Sequence, residues 1–344
     1  MKQRILVTGG TGYIGSHTVV ELQEQGFDVV IIDDLSNSSI EVLDNIRQIT
    51  GTKPGFEKFD LCDNDKLSDF FTKYDNISSI IHFAAYKSVG ESVRSPLKYY
   101  RNNLLSLINL LSAMEKNNIA NIVFSSSCTV YGEPDELPVT EETPLKPAIS
   151  PYGNTKRICE EIIRDRCCQV FPPDNISLIN AISLRYFNPI GAHHSALIGE
   201  VPSGTSDNLI PPITQTAIGK RKSLNVYGND YDTPDGSCIR DYIHIVDVAK
   251  AHIVAIKRLN NKQNKTSYEV FNLGTGKGNS VFEVIDAFEK VSGIKLNYII
   301  VDKRPGDITN VYADTSYANK ELGWKAERTL EEMVLSAWEW EKAL

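Results

Sequence analysis

The stretch Thr8-Gly9-Gly10-Thr11-Gly12-Tyr13-Ile14-Gly15 joins a short apolar run, Arg4–Thr8, to a helical pattern over Ser16–Gln25. Its glycines follow the spacing GxxGxxG and stand where a strand ends and a helix begins. Glycines at this place let the backbone approach a pyrophosphate closely, and the helix N-terminus then stabilises the negative charge. The stretch predicts a dinucleotide-binding strand–turn–helix unit, and the alternative is a tight turn without a ligand.

An acidic residue, Asp33, follows the next apolar run, Asp28–Ile32, about 20 residues beyond the glycines. A carboxylate at the end of the second strand can bind the ribose hydroxyls of NAD. No Arg or Lys lies within Asp33–Ser39 to neutralise a 2′-phosphate, which would also meet Asp34. The pattern therefore predicts NAD rather than NADP, and the alternative role for Asp33 is to cap its own loop.

Strand and helix patterns alternate from the N-terminus to about residue 186. Helices of this length between strands require a parallel sheet that is covered on both faces. The sequence therefore predicts an α/β fold in which a doubly wound parallel sheet, of the Rossmann type, occupies residues 1–186. The further elements are strands at Ser79–Phe83, Asn121–Ser125 and near Ile176–Arg185, and helices from Ser95 to about Asn117 and over Tyr152–Cys168.

The pattern becomes irregular beyond residue 186, where Gly, Pro, Asn and Asp cluster in Asn188–Pro212 and Gly228–Gly236. Aromatic and Arg residues are interleaved with these clusters, which is typical of ordered loops. Helical patterns return at Val246–Leu259, Ser280–Val291 and Leu330–Ala343. We expect residues 187–344 to form a smaller, loop-rich α/β lobe that binds the substrate, with about 237–265 returning to the first domain.

The composition excludes some classes of partner. The 344 residues carry a formal net charge of −8, which argues against a non-specific nucleic-acid binder, because such proteins need a basic surface. No apolar run approaches the ~20 residues that span a bilayer, and the N-terminus lacks the pattern of a secretory signal. We therefore expect a cytoplasmic protein that binds neither nucleic acid nor membrane.

Neither the cysteines nor the histidines have the spacing of a metal site. The six cysteines fit no zinc template, and we expect reduced side chains, with a strained disulfide between Cys167 and Cys168 as the alternative. His193 and His194 are adjacent, but no carboxylate or thiol accompanies them at ligand spacing. The sequence predicts no catalytic metal.

Acid–base chemistry is indicated by Tyr152-Gly153-Asn154-Thr155-Lys156, which places a phenol and an ammonium on one face of a helix. A nearby cation favours the phenolate, so Lys156 would lower the ordinary pKa of ~10 of Tyr152. Phe124-Ser125-Ser126-Ser127 ends a predicted strand, and ligands bind at the carboxyl ends of parallel strands. Ser127 is therefore placed to relay a substrate proton to Tyr152, whereas Ser126 is expected to be structural.

Together these motifs resemble the extended branch of the short-chain dehydrogenase/reductase superfamily, and within it the UDP-glucose (UDP-galactose) 4-epimerase family. The related 4,6-dehydratases carry Asp-Glu, the acid and base for removing water, where this chain has Cys128 and Thr129. Without that machinery the hydride returns to the ketone. The segments that resemble the epimerase family are Thr8–His17, Ile81–Val93, Phe124–Gly132, Ser150–Lys156, Leu184–Ala192 and Arg240–His244.

The resemblance implies the remaining site residues, with Ser127, Tyr152 and Lys156 as the catalytic set. The residues that it places at the cofactor are Gly9, Gly12, Tyr13, Ile14, Gly15, Asp33, Asn37, Asp60, Leu61, Phe83, Ala84, Lys87, Asn102, Ser125, Tyr152, Lys156 and Phe187. Those that it places at a UDP-hexose are Lys87, Ser127, Tyr152, Tyr186, Asn188, Asn208, Leu209, Tyr227, Arg240, Arg304, Asp307 and Val311.

Some of these residues have particular implied roles. Arg240 and Arg304 would grip the diphosphate, and Asp307 would accept a hydrogen bond from the uridine ribose. Val311 would flank the space in which the sugar turns, and its intermediate size raises the question of whether N-acetyl sugars are accepted. Resemblance also implies a homodimer, formed through the helices at Ser95–Asn117 and Tyr152–Cys168.

The implied reaction interconverts UDP-galactose and UDP-glucose in galactose metabolism. Tyr152 accepts the proton of the sugar 4-hydroxyl, directly or through Ser127, and the hydride passes from carbon 4 to bound NAD. The 4-keto sugar then turns over while UDP stays anchored, and the hydride returns to the opposite face. The alternatives are a 4-epimerase of UDP-glucuronate or UDP-arabinose, an NAD-binding scaffold without chemistry, and a dehydrogenase that releases NADH.

Overall fold

A computed structural model describes residues 2–168, 179–201, 208–304 and 307–344. The strands in these ranges are β1 (Arg4–Thr8), β2 (Asp28–Asp33), β3 (Gly55–Lys58), β4 (Ile77–His82), β5 (Asn121–Ser127), β6 (Asn180–Tyr186), β7 (Asn188–Ile190), β8 (Leu224–Tyr227), β9 (Ile239–His244), β10 (Tyr268–Leu273), β11 (Gly278–Ser280), β12 (Tyr298–Val301) and β13 (Asn310–Val311).

The helices alternate with these strands through the first half of the chain. They are α1 (Tyr13–Glu24), α2 (Val42–Thr50), α3 (Asn64–Lys73), α4 (Val89–Arg94), α5 (Pro96–Lys116), α6 (Pro151–Cys167), α7 (Ile210–Ala217), α8 (Ile245–Asn260), α9 (Val281–Ser292) and α10 (Leu330–Ala343). The strand predicted near Ile176–Arg185 begins at Asn180, and residues 176–178 of that prediction lie outside the described residues.

Two compact units make up the chain. The first comprises residues 1–132, 145–185 and 249–271, and the second comprises residues 133–144, 186–248 and 272–344. The chain thus changes unit at residue 186 and returns to the first unit through α8. The short segment 133–144, which is rich in acidic residues and proline, also belongs to the second unit and was not anticipated from the sequence.

The first unit is built on a seven-stranded parallel sheet with the strand order β10-β6-β5-β4-β1-β2-β3. The order reverses beside β1, since β2 lies on one side of it and β4 on the other. Loops after these strands therefore open a crevice at the carboxyl edge of the sheet, where ligands bind in such folds. The predicted doubly wound sheet is confirmed.

Alternate strand residues are buried on both faces of this sheet. Leu6, Val30, Ile80 and Ile122 point to one face, where they pack against apolar residues of α3, α5 and α6. The intervening strand residues, such as Ile5, are buried as well. Burial on both faces explains the continuous apolar runs of these strands.

The second unit has smaller sheets. β9 is central to one of them and pairs with β7, β11 and β13, while β8 and β12 form a separate parallel pair. Its core is apolar and combines these strands with α7, α9 and α10. None of the described helices combines the length and the apolar character needed to cross a membrane.

Candidate active site

The glycines in the loop between β1 and α1 fall into two groups. Some have no space for a side chain, and one has open space beside it. Gly9 has φ +70°, and a Cβ there would lie 2.7 Å from the backbone nitrogen of Ala84. A Cβ on Gly15 would lie 2.1 Å from the Gly9 carbonyl oxygen. These two glycines are therefore required by the fold itself, because neither has space for a Cβ and the positive φ of Gly9 also favours glycine.

Gly12 differs, because the protein leaves room beside it. A Cβ there would meet nothing within 4 Å except the Gly9 carbonyl oxygen at 3.3 Å. Its φ of −70° suits any residue, and it is the N-cap of α1 without contributing a side-chain acceptor to that helix. An open surface next to uncapped helical N–H groups fits the pyrophosphate of a dinucleotide.

Asp33 closes the glycine loop. Its carboxylate accepts hydrogen bonds from the backbone N–H of Thr11 at 3.1 Å and of Leu35 at 2.9 Å. The side chain of Ser38 also donates to it at 3.3 Å. The loop-capping alternative is thus present in the structure, and the binding of a ribose by the same carboxylate stays a prediction.

The other cofactor candidates of the first unit lie in the loops after its strands. Asp60 is exposed beside the buried Leu61. Phe83 and Ala84 follow β4, and the Lys87 ammonium lies 5.7 Å from the centre of the Tyr13 ring. Asn37 is exposed in the loop after β2, and Phe187 follows β6 in the second unit.

Tyr152 and Lys156 occupy successive turns at the start of α6. The helix begins at Pro151, and its N-cap Ser150 accepts from the N–H of Gly153 at 3.2 Å. The Lys156 ammonium donates to the Ser125 carbonyl oxygen at 2.6 Å and lies 4.9 Å from the centre of the Phe124 ring. The start of α6 is thus fastened to the end of β5.

Ser127 ends β5 and hydrogen-bonds the phenol of Tyr152. Its oxygen accepts from both the N–H of Thr129 at 3.2 Å and the hydroxyl of Thr129 at 3.0 Å. These two donors leave the proton of Ser127 available for Tyr152, as a relay requires. Thr129 therefore orients the Ser127 hydroxyl. The related 4,6-dehydratases carry a carboxylic acid for removing water at the position of Thr129.

Burial controls the ionisation of both catalytic groups. It raises the pKa of Tyr152 well above its ordinary value, and the hydrogen bond from Ser127 offsets this only in part. Burial also lowers the pKa of Lys156 to about 8. Loss of hydration thus dominates the pKa of Tyr152 in the protein alone, and the lowering of this pKa by Lys156 stays a prediction.

Asn103 is a positioning residue that sequence reasoning missed. Its side-chain oxygen accepts from the N–H of Tyr86 at 2.9 Å, and its amide donates to the Tyr86 carbonyl at 3.1 Å and to Thr155 at 3.0 Å. It thus joins the loop after β4 to α6. The predicted brace, its neighbour Asn102, donates to Asn103 at 3.1 Å, and its contact with the cofactor stays a prediction. A polar residue on the apolar face of α5 was the available signal.

The second unit brings most of the predicted diphosphate residues together. Asp307 pairs with Arg304 at 3.2 Å and with Arg240 at 3.9 Å. The Arg304 guanidinium lies 4.4 Å from the centre of the Tyr227 ring. Val311 pairs with Arg240 in the register of β13 with β9. Two guanidinium groups thus lie at one carboxylate, and guanidinium groups are well suited to bind a phosphate.

Four other substrate candidates lie on β6, on β7 and just before α7. Tyr186 is buried at the end of β6, and Asn188 begins β7. The Asn208 amide donates to Glu200 at 2.8 Å, and Leu209 packs against the core of the second unit beside α7. Their contact with a substrate stays a prediction.

The rings of His193 and His194 are in contact at an interplanar angle of 39°, with ring centres 4.1 Å apart. Burial lowers the pKa of His193 to about 4, and its ring bonds the hydroxyl of Ser195 at 2.8 Å. Within the described ranges, no three His, Cys, Asp or Glu side chains come together as metal ligands.

Comparison with known proteins identifies the family. A family model described as GDP-mannose 4,6 dehydratase matches residues 6–336. The UDP-glucose 4-epimerase of Bacillus subtilis is 49% identical over 339 residues, which are 98% of this chain and 97% of that protein. The broad family model thus includes proteins with different reactions, and the dehydratase acid and base are absent at Cys128 and Thr129.

Solved structures agree with the sequence relatives. The UDP-glucose 4-epimerase from Stenotrophomonas maltophila, solved with NAD and formylated UDP-arabinopyranose, is 45% identical with a TM-score of 0.93, covering 99% of this chain and 98% of that one. The enzyme from Bifidobacterium longum, solved with NAD+ and UDP, is 47% identical with a TM-score of 0.92 and the same coverage. The chain described here therefore belongs to the UDP-glucose 4-epimerase family.

Proposed function

We propose that this protein is an NAD-dependent epimerase that interconverts UDP-galactose and UDP-glucose. The observation that carries the proposal is the joining of α6 to the end of β5, which sets a phenol, an ammonium and a serine hydroxyl side by side. In the same unit, the glycine loop leaves room for a dinucleotide. The family, at 49% identity over nearly the whole chain, supports the same reaction.

Tyr152, Ser127 and Lys156 have different roles in the proposed reaction. When bound, NAD takes the hydride from carbon 4 of the sugar and later gives it back, so the cofactor is regenerated in each cycle. Tyr152 removes the proton of the 4-hydroxyl through Ser127 and returns it after the hydride has been restored. Lys156 supplies positive charge beside the phenol and a donor for the nicotinamide ribose.

Tyr152 needs help to act as a base, because burial raises the pKa of its phenol. The positive charge of the oxidised nicotinamide offsets that burial, whereas the neutral reduced ring does not. The phenolate is therefore favoured when the sugar is to be oxidised, and the phenol when the ketone is to be reduced. This alternation suits a reaction that runs in both directions.

A tight anchor on the nucleotide allows the 4-keto sugar to turn over without leaving. We assign the anchor to Arg240 and Arg304, which share the carboxylate of Asp307. Tyr227, stacked against Arg304, restricts that guanidinium further. With no carboxylic acid at Cys128 or Thr129 to expel water, return of the hydride is the only outcome open to the ketone.

Product analysis tests the proposal directly. Purified protein is incubated with UDP-galactose without added NAD, and the nucleotide sugars are separated by chromatography. UDP-glucose is expected, because the cofactor stays bound between cycles. Free NADH without UDP-glucose would indicate a dehydrogenase, and unchanged UDP-galactose would contradict the proposal.

A second candidate substrate is a UDP-pentose. The Stenotrophomonas maltophila enzyme was crystallised with formylated UDP-arabinopyranose, which shows that a close structural relative accommodates a pentose. Activity with UDP-arabinose that exceeds activity with UDP-galactose would favour this candidate.

We also propose that the chain forms a homodimer through α5 and α6 of the first unit, together with α4, which packs against both. Val93, Leu97 and Ile108 expose 60%, 81% and 44% of their surfaces there. Large apolar side chains grouped on neighbouring helices favour burial against a second copy. A cytoplasmic location is part of the same proposal, since all six cysteines are free thiols, as in a reducing compartment.

A further inference from the structure

Three consecutive serines at the end of β5 are each bonded to a different member of one row on α6. The row consists of Tyr152, Lys156 and Glu160, which are four residues apart and so share a helix face. Ser127 bonds Tyr152, and the Ser125 carbonyl accepts from Lys156. The hydroxyl of Ser126 donates to Glu160 at 2.5 Å.

Glu160 is held in turn by Arg185 of β6. The guanidinium donates twice to the carboxylate, at 2.9 and 2.6 Å, and its remaining nitrogen donates to the Tyr131 hydroxyl at 2.9 Å. Tyr131 ends the short helical turn that follows Ser127. All of these side chains are at least nine-tenths buried. The pair therefore touches both ends of the segment that carries Ser127.

We infer that Glu160, fixed by Arg185, is a positioning residue of the epimerase reaction, which holds the strand end of Ser127 in register with the helix of Tyr152 and Lys156. This inference rests on the proposed function. The carboxylate touches neither substrate nor cofactor, and it acts through Ser126. Its charge also favours the protonated form of Lys156.

The effect of Glu160 on the ionisation of Lys156 follows from the groups that surround this ammonium. Cys159 and Glu160 of α6 raise its pKa, and they oppose the burial that lowers it to about 8. His82 of β4 faces the same ammonium and is neutral, because burial lowers its own pKa to about 3. Arg185 of β6 lies beyond Glu160. Among these groups, Glu160 is the carboxylate that favours the charged lysine.

Two variants test the inference in the NAD-bound protein. Ser126→Ala removes one hydrogen bond and leaves the ion pair between Glu160 and Arg185 intact. A misplacement of 1 Å costs about a hundredfold in rate, and the loss of one hydrogen bond should move Ser127 by less than that. We therefore expect kcat to fall roughly tenfold with KM unchanged. Glu160→Gln keeps an acceptor for Ser126 but removes the charge. We expect the alkaline limb of its kcat–pH profile to move to lower pH.

The first unit offers a matched control in Arg258 and Glu269, a second buried pair with hydrogen bonds of 2.7 and 2.8 Å. Glu269→Gln should lower thermal stability as Glu160→Gln does, but leave kcat and the pH profile unchanged. Unchanged kcat in Ser126→Ala would overturn the inference, even if Glu160→Gln fails to fold. If the wild-type protein itself shows no epimerase activity, the proposed function is overturned instead.

Discussion

At the scale of single residues, the site combines ionisable groups with burial. Tyr152 and Lys156 are placed where hydration is lost, so the pKa of the phenol is raised and that of the ammonium is lowered to about 8. The hydroxyl of Thr129 donates to the Ser127 oxygen at 3.0 Å and so orients the Ser127 hydroxyl. The positions of these side chains are therefore set in the protein alone, whereas the ionisation of Tyr152 depends on the bound cofactor.

The phenol of Tyr152 carries the proton transfer, and its removal has a defined cost. We expect Tyr152→Phe to lower kcat by about 10²–10⁴-fold, the usual contribution of an acid–base group. NAD content and thermal stability should stay at wild-type values. The matched control is Tyr100→Phe, which removes a hydroxyl that accepts from Asn154 of the same helix at 2.7 Å. Equal turnover in the two variants would remove Tyr152 from its role.

His82 gives the first unit a pH-dependent stability. Burial lowers its pKa to about 3, and Lys156 contributes further. The neutral ring therefore stabilises the fold fully above pH ~6.5, its unfolded value, and this contribution is lost as pH falls towards 3. The slope attributable to one such group is about 1.4 kcal/mol per pH unit.

The corresponding experiment is urea unfolding at pH 7.5 and at pH 5 for the wild type and for His82→Gln. Glutamine cannot titrate but can still bond Thr8, whose hydroxyl lies 2.7 Å from the His82 ring. We expect the variant to lose less stability between the two pH values. Parallel losses in both proteins would show that His82 does not titrate on unfolding in this range.

The family resemblance implies that Val311 flanks the space in which the sugar turns, so we expect this residue to limit substrate size. It is 5% exposed and paired in register with Arg240. We expect the wild type to accept UDP-N-acetylglucosamine, and Val311→Tyr to lower kcat/KM for that substrate about tenfold or more by steric conflict, with little change for UDP-galactose. Initial rates with both substrates measure this selectivity. Identical substrate profiles for the two proteins would contradict the assignment.

At the scale of elements, the turn between β1 and α1 separates requirements of folding from requirements of binding. Gly15 has no space for a side chain, whereas Gly12 has space that only a ligand would need. The same loop is closed from the other side by Asp33 at the end of β2. One short element thus connects sheet packing with cofactor binding.

A pair of alanine variants distinguishes the two requirements. Gly15→Ala should destabilise the NAD-free protein by about 1–3 kcal/mol, because the new Cβ meets the Gly9 carbonyl. Gly12→Ala should leave that stability within ~0.5 kcal/mol of the wild type but should purify without bound NAD. Denaturant unfolding and the nucleotide content of the purified proteins are the measurements. Full NAD retention by Gly12→Ala would contradict the predicted pyrophosphate contact.

At the scale of the whole molecule, each unit carries a distinct part of the chemistry. The first contains the glycine loop and the joined β5 and α6, and the second contains two arginines around one carboxylate. We expect NAD binding to belong to the first and nucleotide anchoring to the second. The exposed apolar residues of α4 and α5 add a surface that a second copy can cover.

The proposed dimer is tested by placing a charge on that surface. Leu97→Asp should convert the protein to monomers, because an unpaired carboxylate cannot be buried at an apolar contact. Ile299→Asp is the control, since Ile299 is an exposed apolar residue of the second unit, with 49% of its surface accessible. Sedimentation velocity gives the mass of each variant. A monomeric wild type, or dimers of both variants, would contradict the proposal.

The local pattern of the sequence predicted part of the alternating strands and helices, but not α2, β3, α3 or α4. The ends of β1 and α10 were predicted to the residue, because periodicity, caps and glycines act over a few neighbouring positions. The short strands β7–β9 and β11–β13 were not predicted. Strands of this length are stabilised by partners far away in the chain, so local preference says little about them.

For the site, sequence alone determined which residue types are present and their spacing along one helix or one turn: the glycines, Tyr152 with Lys156, and the serines before the turn. Only the tertiary structure decided that Glu160, Arg185 and Asn103 hold these groups in place, and that burial raises the pKa of Tyr152. The physical reason is the distance along the chain over which each interaction acts. Helical spacing and backbone conformation are local, whereas hydration and long-range hydrogen bonds depend on every element that packs around a side chain.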